Sequence, residues 1–195
     1  DEPAIINDGA HRAGDLGRSV LDPAVMISIL GEPTQNTMSE VGVLFVCLGN
    51  ICRSPMAQGI FQRQVEEAGL KDSVLIDSCG TAAFNAGKHP DPRAIAAAEE
   101  NGVDISQQIA RQIDDDDYKR FDFIIAMDRN NLSNVIAWAP PNYKGEMKLL
   151  LDYTPRQTQG QVADPYYSED GTFVAVFEEV ERATACLLDH IIDIE

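Results

Sequence analysis

The chain has 195 residues, 44% of them hydrophobic and 24% charged, which are the proportions of a globular protein with a real core and not of a disordered chain. Its formal net charge is −17, from 32 acidic and 15 basic side chains. That excludes non-specific nucleic-acid binding, which is driven by counterion release from basic surfaces. No apolar run approaches the length needed to cross a bilayer, so a membrane is not an expected partner either.

Residues 1–40 differ from the rest: they are punctuated by Gly and Pro, lack sustained periodicity, and begin on Asp1-Glu2 where a secretory leader would be basic. They are expected to be an extension, unstructured or upstream-derived, ahead of a domain that starts near Met38; a regulatory or partner-binding arm is the alternative. From residue 41 onward a single domain, 41–195, is expected. Val41 to Cys47 is a short β-branched run, as for a strand buried on both faces. After a loop, Ser54-Pro55 reads as N-cap and first residue of a helix whose apolar face carries Ala57, Ile60, Phe61, Val65 and Ala68 and which stops at Gly69.

Val74 to Cys79 is a second strand, followed by a Gly/Ala/Pro-rich loop over 80–90. Asp91-Pro92 opens a helix that ends at Gly102, and a short acidic helix over Asp114 to Arg120 precedes strand Phe123 to Met127. The four carboxylates Asp114 to Asp117 read as a solvated helix start, since Asp is stabilising there. Asp128 caps a helix running to Trp138, Met147 to Leu150 is a fourth strand, a long loop runs from Asp152 to Gly171, and the series from Phe173 to Ile191 is a final amphipathic helix. Strands alternating with helices predict an α/β fold: a single three-layer domain with a four-stranded parallel sheet and helices on both faces.

The four cysteines, Cys47, Cys52, Cys79 and Cys186, are too sparse for a disulfide framework and include no Cys-x-x-Cys pair. With only three histidines, a zinc site is not expected. Reduced thiols in a cytoplasmic protein are the expectation.

Ligands of parallel sheets bind outside the carboxyl ends of strands, which directs attention to the loop Cys47-Leu48-Gly49-Asn50-Ile51-Cys52-Arg53-Ser54. A cysteine ends a strand, and six residues later an arginine and a hydroxyl residue open a helix. Loop amides and the helix N-terminus form an anion bowl, Arg53 offers a planar fork for two phosphate oxygens, and Cys47 at its base is expected to favour the thiolate. Ser54 can donate to the sulfur. A thiolate beneath a bound tetrahedral oxyanion is the machinery of covalent phosphoryl transfer.

Over about residues 41–193 the chain resembles the low-molecular-weight protein tyrosine phosphatases, with bacterial-type details. The resemblance rests on VLFVCLGNICRSPMA at 43–57, DSCGTAAF and HPDPRA within 77–94, ARQI at 110–113, FDFIIAMDRNNL at 121–132 and ADPYY at 163–167. It implies that Cys47 is the nucleophile, Arg53 the phosphoryl-binding group and Asp164 the general acid, which must be protonated to act and so implies an acidic optimum. Leu48, Gly49, Asn50, Ile51, Cys52, Ser54 and Ser78 would form and support the phosphate-binding loop, Asn50 and Ser78 by side-chain hydrogen bonds. Phe84, Tyr166 and Tyr167 would line the pocket. The implied partners are a phosphotyrosine-containing protein and phosphate or another oxyanion, with no metal and no organic cofactor.

Ile51 at the rim suits a tyrosine-directed member, since arginine phosphatases of the family carry Thr there. Two departures stand out: Asn101 replaces a frequent His, with an altered loop-supporting hydrogen bond expected, and Cys79 replaces a smaller residue. Cys52 either pairs with Cys47 in a protective disulfide, as in relatives, or only fills the loop's back wall. Arsenate reductase of the same fold, or a non-catalytic phosphoprotein-binding module, are the alternative functions; the first needs further thiols and the second would be expected to lose Cys47, Arg53 or Asp164.

Overall fold

A computed structural model describes residues 40–155, 160–168 and 171–194. The expected extension over 1–40 lies outside the described residues apart from Glu40. The elements in chain order are β1 (Val41–Cys47), α1 (Arg53–Glu67), β2 (Val74–Gly80), α2 (Pro92–Glu100), α3 (Asp117–Arg120), β3 (Phe123–Ala126), α4 (Arg129–Trp138), β4 (Glu146–Leu149), a turn of 3-10 helix over Leu150–Tyr153, and α5 (Gly171–Ile194).

The four strands are parallel in the order β2-β1-β3-β4. Because β1 is central, its side chains are buried on both sides, as its apolar run requires. Val43, Phe45 and Cys47 face one layer, built with α1, α2 and α5. Leu44 and Val46 face the other, with Tyr118, Phe121 and Val135. The chain leaves β1 toward β2 and then returns to place β3 on β1's other side. The carboxyl ends of β1 and β3 are therefore the topological switch point, the crevice where sheets of this kind hold ligands.

Among the boundaries that differ from expectation, three have a local reason. Helix α1 starts at Arg53 with Cys52 at the N-cap, not Ser54. The Ser54 hydroxyl is drawn inward to the Cys47 sulfur and so cannot cap. The acidic helix begins only at Asp117, because the Asp114 carboxylate first ties off the N–H groups of Asp116 and Asp117 in a turn. Strand β4 runs one residue earlier than expected, and Leu150 starts the 3-10 turn. One expectation about a single residue also fails. Asp117 is buried and clasped by Arg111, so the acidic run is not wholly solvated. Asn101 caps the end of α2, where its amide donates to Ala97 C=O, 2.9 Å, and its C=O accepts from Arg63; it has no hydrogen bond to the 47–54 loop.

Gly59 lies on the buried face of α1, where an added Cβ would come within 2.5 Å of Ile105 Cγ2 and 2.8 Å of Val103 Cγ1. Alanine gains about 1 kcal/mol over glycine in an isolated helix, but overpacking a filled core costs about 1–3 kcal/mol. β-Branched neighbours have little rotameric freedom to yield. Gly59→Ala is therefore expected to lower Tm in a thermal melt; a rise in Tm would mean that the 103–105 segment gives way.

Candidate active site

The loop leaving β1 turns back on itself at Asn50, whose φ of 53° is the one left-handed non-glycine conformation among the described residues. Asparagine tolerates that region better than most residues. Its side chain is fully employed. Nδ2 donates to Ser54 Oγ and to Ser78 Oγ, both at 2.9 Å, and Oδ1 accepts from the backbone N–H of Arg111, 2.9 Å. Ser78 passes its own proton to Gln58 Oε1 on α1, 2.7 Å. The Asn50 N–H points at Cys47 Sγ, 3.2 Å. The loop is thus pinned to α1, to β2 and to the segment before α3.

Cys47 Sγ also lies 3.0 Å from Ser54 Oγ. The Ser54 hydroxyl has one proton and two acceptors in reach, the Cys79 C=O at 3.2 Å and the sulfur. Negative charge on the sulfur draws that proton to it, so the serine serves as a donor whenever Cys47 is anionic.

Arg53 is 3% exposed. Its Nη1 donates to Asp128 Oδ2, 2.8 Å, and to Val162 C=O, 3.1 Å; its Nη2 donates to Asp164 Oδ2, 2.9 Å. Burial alone would weaken the guanidinium's hold on its proton, but Cys47, Asp164 and Asp128 outweigh it and raise its pKa above the ordinary value. The 160–164 stretch is held beside β3 by Val162 N–H to Met127 C=O, 2.9 Å, and by Gln161 Oε1, which accepts from the Arg129 N–H that opens α4, 2.9 Å. In this way Asp164, more than a hundred positions downstream, reaches the loop after β1.

These groups line a cleft of about 290 Å³. Cys47 and Arg53 lie on its lining together with Leu48, Gly49, Ile51 and Cys52 from the loop, Asp164 from the stretch beyond β4, and Phe84, Tyr166 and Tyr167 at the rim. Phe84 and Tyr167 are 64% and 94% exposed, so the mouth is aromatic and open. Asn50, Ser54 and Ser78 do not line the cleft; they stand behind it as supports. Cys52 is nearly buried, and that burial, with the charge of Asp91 adding to it, pushes its thiol well above the usual range. All four cysteines are free thiols.

Three residues of the site were not singled out for these roles by the sequence. The sequence presents Asp128 only as a helix cap. It does cap α4, Oδ1 accepting from Asn131 N–H at 2.8 Å, while its other oxygen neutralises Arg53. Its place at the carboxyl end of β3 was the available signal. Asn85, in the Gly/Ala/Pro-rich loop after β2, is buried and its Nδ2 donates to Gly49 C=O, 3.3 Å. Arg111, inside the 110–113 motif, forks between Asp77 and Asp117 and thereby fixes the backbone N–H that Asn50 needs.

Comparison with known proteins gives one family. The model for "Low molecular weight phosphotyrosine protein phosphatase" matches residues 42–193. The protein of that name from Schizosaccharomyces pombe is 42% identical over 135 residues, 69% of this chain and 86% of the relative. The crystal structure of protein tyrosine phosphatase from Entamoeba histolytica, with Hepes in the active site, superposes with a TM-score of 0.74 at 32% identity, covering 78% of this chain and 97% of that one. The structure of the Drosophila arginine phosphatase DARP gives a TM-score of 0.71 at 32% identity, with 76% and 96% covered.

Asn50 is the test of the loop's architecture. Asn50→Ala removes three side-chain hydrogen bonds and leaves a left-handed residue without local support. Inorganic phosphate, titrated by calorimetry, is expected to bind about tenfold more weakly, the equivalent of one or two lost hydrogen bonds; unchanged affinity would show that the loop keeps its shape without this strut.

Proposed function

The chain belongs to the low-molecular-weight phosphotyrosine protein phosphatase family, and from that premise we propose how its residues carry out the hydrolysis. The observation that carries the reading is the convergence of Cys47, Arg53 and Asp164 on one cleft, with Asp164 Oδ2 2.9 Å from Arg53 Nη2 and the Cys47 sulfur at the cleft floor.

A phosphotyrosine side chain enters between Phe84 and the two tyrosines, its ring taking up the apolar length of the cleft. Its phosphoryl oxygens take Arg53 Nη2 and the N–H groups of the loop, and Asp164, released from Arg53, faces the bridging oxygen. The Cys47 thiolate attacks phosphorus; the S–P bond forms as the bond from phosphorus to the phenolic oxygen breaks. Asp164, carrying a proton, gives it to that oxygen, and tyrosine leaves. Water then attacks the cysteinyl-phosphate with the Asp164 carboxylate as its base. The S–P bond breaks, inorganic phosphate is released, and Ser54 receives the thiolate as a hydrogen-bond donor. Asp128 keeps one side of Arg53 in place throughout.

The physiological partner in this reading is a protein bearing phosphotyrosine, and the aliphatic Ile51 at the rim supports an aryl ester over phosphoarginine. A reducing cytoplasmic setting suits a nucleophile that must remain a thiol. Reduction of arsenate has less support, because Cys79 is wholly buried in β2 and Cys186 lies on α5, away from the cleft lining.

The test is steady-state hydrolysis of p-nitrophenyl phosphate and of phenyl phosphate in EDTA by the wild type, Cys47→Ser and Asp164→Asn. Cys47→Ser is expected to reduce turnover to background, and Asp164→Asn to cut kcat/KM of phenyl phosphate by about 100-fold. Turnover surviving in Cys47→Ser would overturn the cysteinyl-phosphate route.

A further inference from the structure

Arg93, in the first turn of α2, is not on the cleft lining, yet it is linked to both of the segments that frame it, to one directly and to the other through Asp91. Its Nε and Nη2 donate to the two oxygens of Asp91, each at 3.0 Å. Asp91 in turn donates its backbone N–H to Ile51 C=O, 2.8 Å, on the rim of the phosphate-binding loop. The same Nη2 donates to Tyr166 C=O, 3.1 Å, in the turn that carries Asp164. The guanidinium also lies against two rings, 4.6 Å from the centre of Phe173 and 5.7 Å from that of Tyr166. Tyr166 passes the restraint on. Its N–H donates to Asp164 Oδ1, 3.2 Å, and its ring meets Tyr167 edge-on at 4.9 Å.

The anchors of the Asp164 turn explain why this contact matters. Upstream, the turn is tied by Gln161 and Val162 to the end of β3. At Asp164 itself it is tied to Arg53, a bond that the incoming phosphoryl group takes over. Downstream, among the described residues, the hydrogen bond that ties the turn to another element is the one from Arg93 to Tyr166. A segment fixed at one end pivots, and a misplacement of about 1 Å at a reacting group can cost 100-fold in rate. Once the phosphoryl group engages Arg53, the Arg93 contact is the tie that remains on the downstream side of Asp164.

We propose that Arg93 is a positioning residue for the general acid: its planar fork joins the turn Asp164-Pro165-Tyr166-Tyr167 to the rim of the phosphate-binding loop and holds the Asp164 carboxyl over the leaving oxygen. The proposal rests on the assignment of Asp164 as the general acid. Lysine is a poor substitute, because a single ammonium cannot span both Asp91 oxygens and the Tyr166 carbonyl while stacking on a ring.

Proton donation matters most for the poorest leaving group, and this separates positioning of the acid from general damage. The experiment measures kcat/KM for p-nitrophenyl phosphate and phenyl phosphate in the wild type, Arg93→Met, Arg93→Lys, Asp164→Asn and the double variant Arg93→Met with Asp164→Asn. Inhibition by inorganic phosphate is measured alongside. Arg93→Met is expected to lose about tenfold on phenyl phosphate and less than about twofold on p-nitrophenyl phosphate, with the phosphate inhibition constant unchanged within about twofold. Arg93→Lys falls between, and carries the comparison if Arg93→Met does not fold. In the Asp164→Asn background the Arg93 substitution is expected to cost nothing further, because the group it positions is gone.

Equal losses on both substrates, a loss that persists beside Asp164→Asn, weakened phosphate inhibition, or no loss at all would each overturn the proposal while leaving Asp164 as the acid. If Asp164→Asn itself is indifferent to the leaving group, the general-acid assignment falls, and this proposal with it.

Discussion

A guanidinium buried to 3% exposure governs the arrangement of everything around it. An unpaired charge in such a place would cost several kcal/mol, so the surroundings must answer it with carboxylates and carbonyls. Arg53 is answered by Asp128 from the end of β3 and by Val162 and Asp164 from the stretch beyond β4. The requirement to neutralise one cation at the start of α1 thereby draws in the stretch that carries Asp164, the proposed general acid. Removing Asp128 would leave Arg53 half-answered as well as misdirected, which is why a residue that touches no substrate belongs with the site.

The sheet order makes this meeting possible. With β1 between β2 and β3, the loop after β1 and the turn after β3 open side by side, and the crossover through α1 sets a helix N-terminus between them. Asn50 converts that placement into a shape. Its left-handed backbone bends the loop so that its own N–H meets the sulfur, and its amide fastens the bend to Ser54, Ser78 and the Arg111 backbone. Arg111 is fixed in turn by Asp77 and Asp117, the latter 1% exposed. The support of the loop after β1 therefore extends outward through Asn50 to Arg111 and its two carboxylates, each group satisfied by the next, which suits a site that must present donors without reorganising.

Much of this was legible in the chain. Strand β1 followed by a loop with Cys47 and Arg53 six apart, then a helix, carries both its fold and its chemistry in local order, because the strand, loop and helix are contiguous and their residue types are demanding. What was not legible depends on contacts across distance. Ser54 has the composition of a helix cap, and only the presence of a sulfur nearby turns it inward. Asp117 sits in a run of four carboxylates that looks solvated; Arg111, six residues before it, selects that one for burial. Asp128 performs the capping its position suggests and a second task that no pattern in its own segment announces. Arg93 is the clearest case, since its partners lie at 91, 166 and 173, and only the folded chain brings the last two to α2.

The depth of the cleft follows from the same arrangement and bears on what it accepts. Its floor is a sulfur 3% exposed and its mouth is a tyrosine 94% exposed, with Leu48, Ile51 and Phe84 between. At rest, both terminal nitrogens of Arg53 are already engaged by carboxylates. A ligand that is to replace Asp164 there has to bring an anionic group to the floor, past the side chains of Leu48, Ile51 and Phe84. A phosphate on a short aliphatic arm would have to carry a polar peptide backbone into that path and leave its groups without partners, at a cost of about 1–3 kcal/mol for each. An aryl phosphate spans it with a ring that needs no hydrogen bonds, leaving the backbone in water at the aromatic rim. Under the proposed function, a preference for an aryl phosphate follows from where Arg53 is buried: the farther the cation lies below the surface, the longer the arm that can deliver a charge to it.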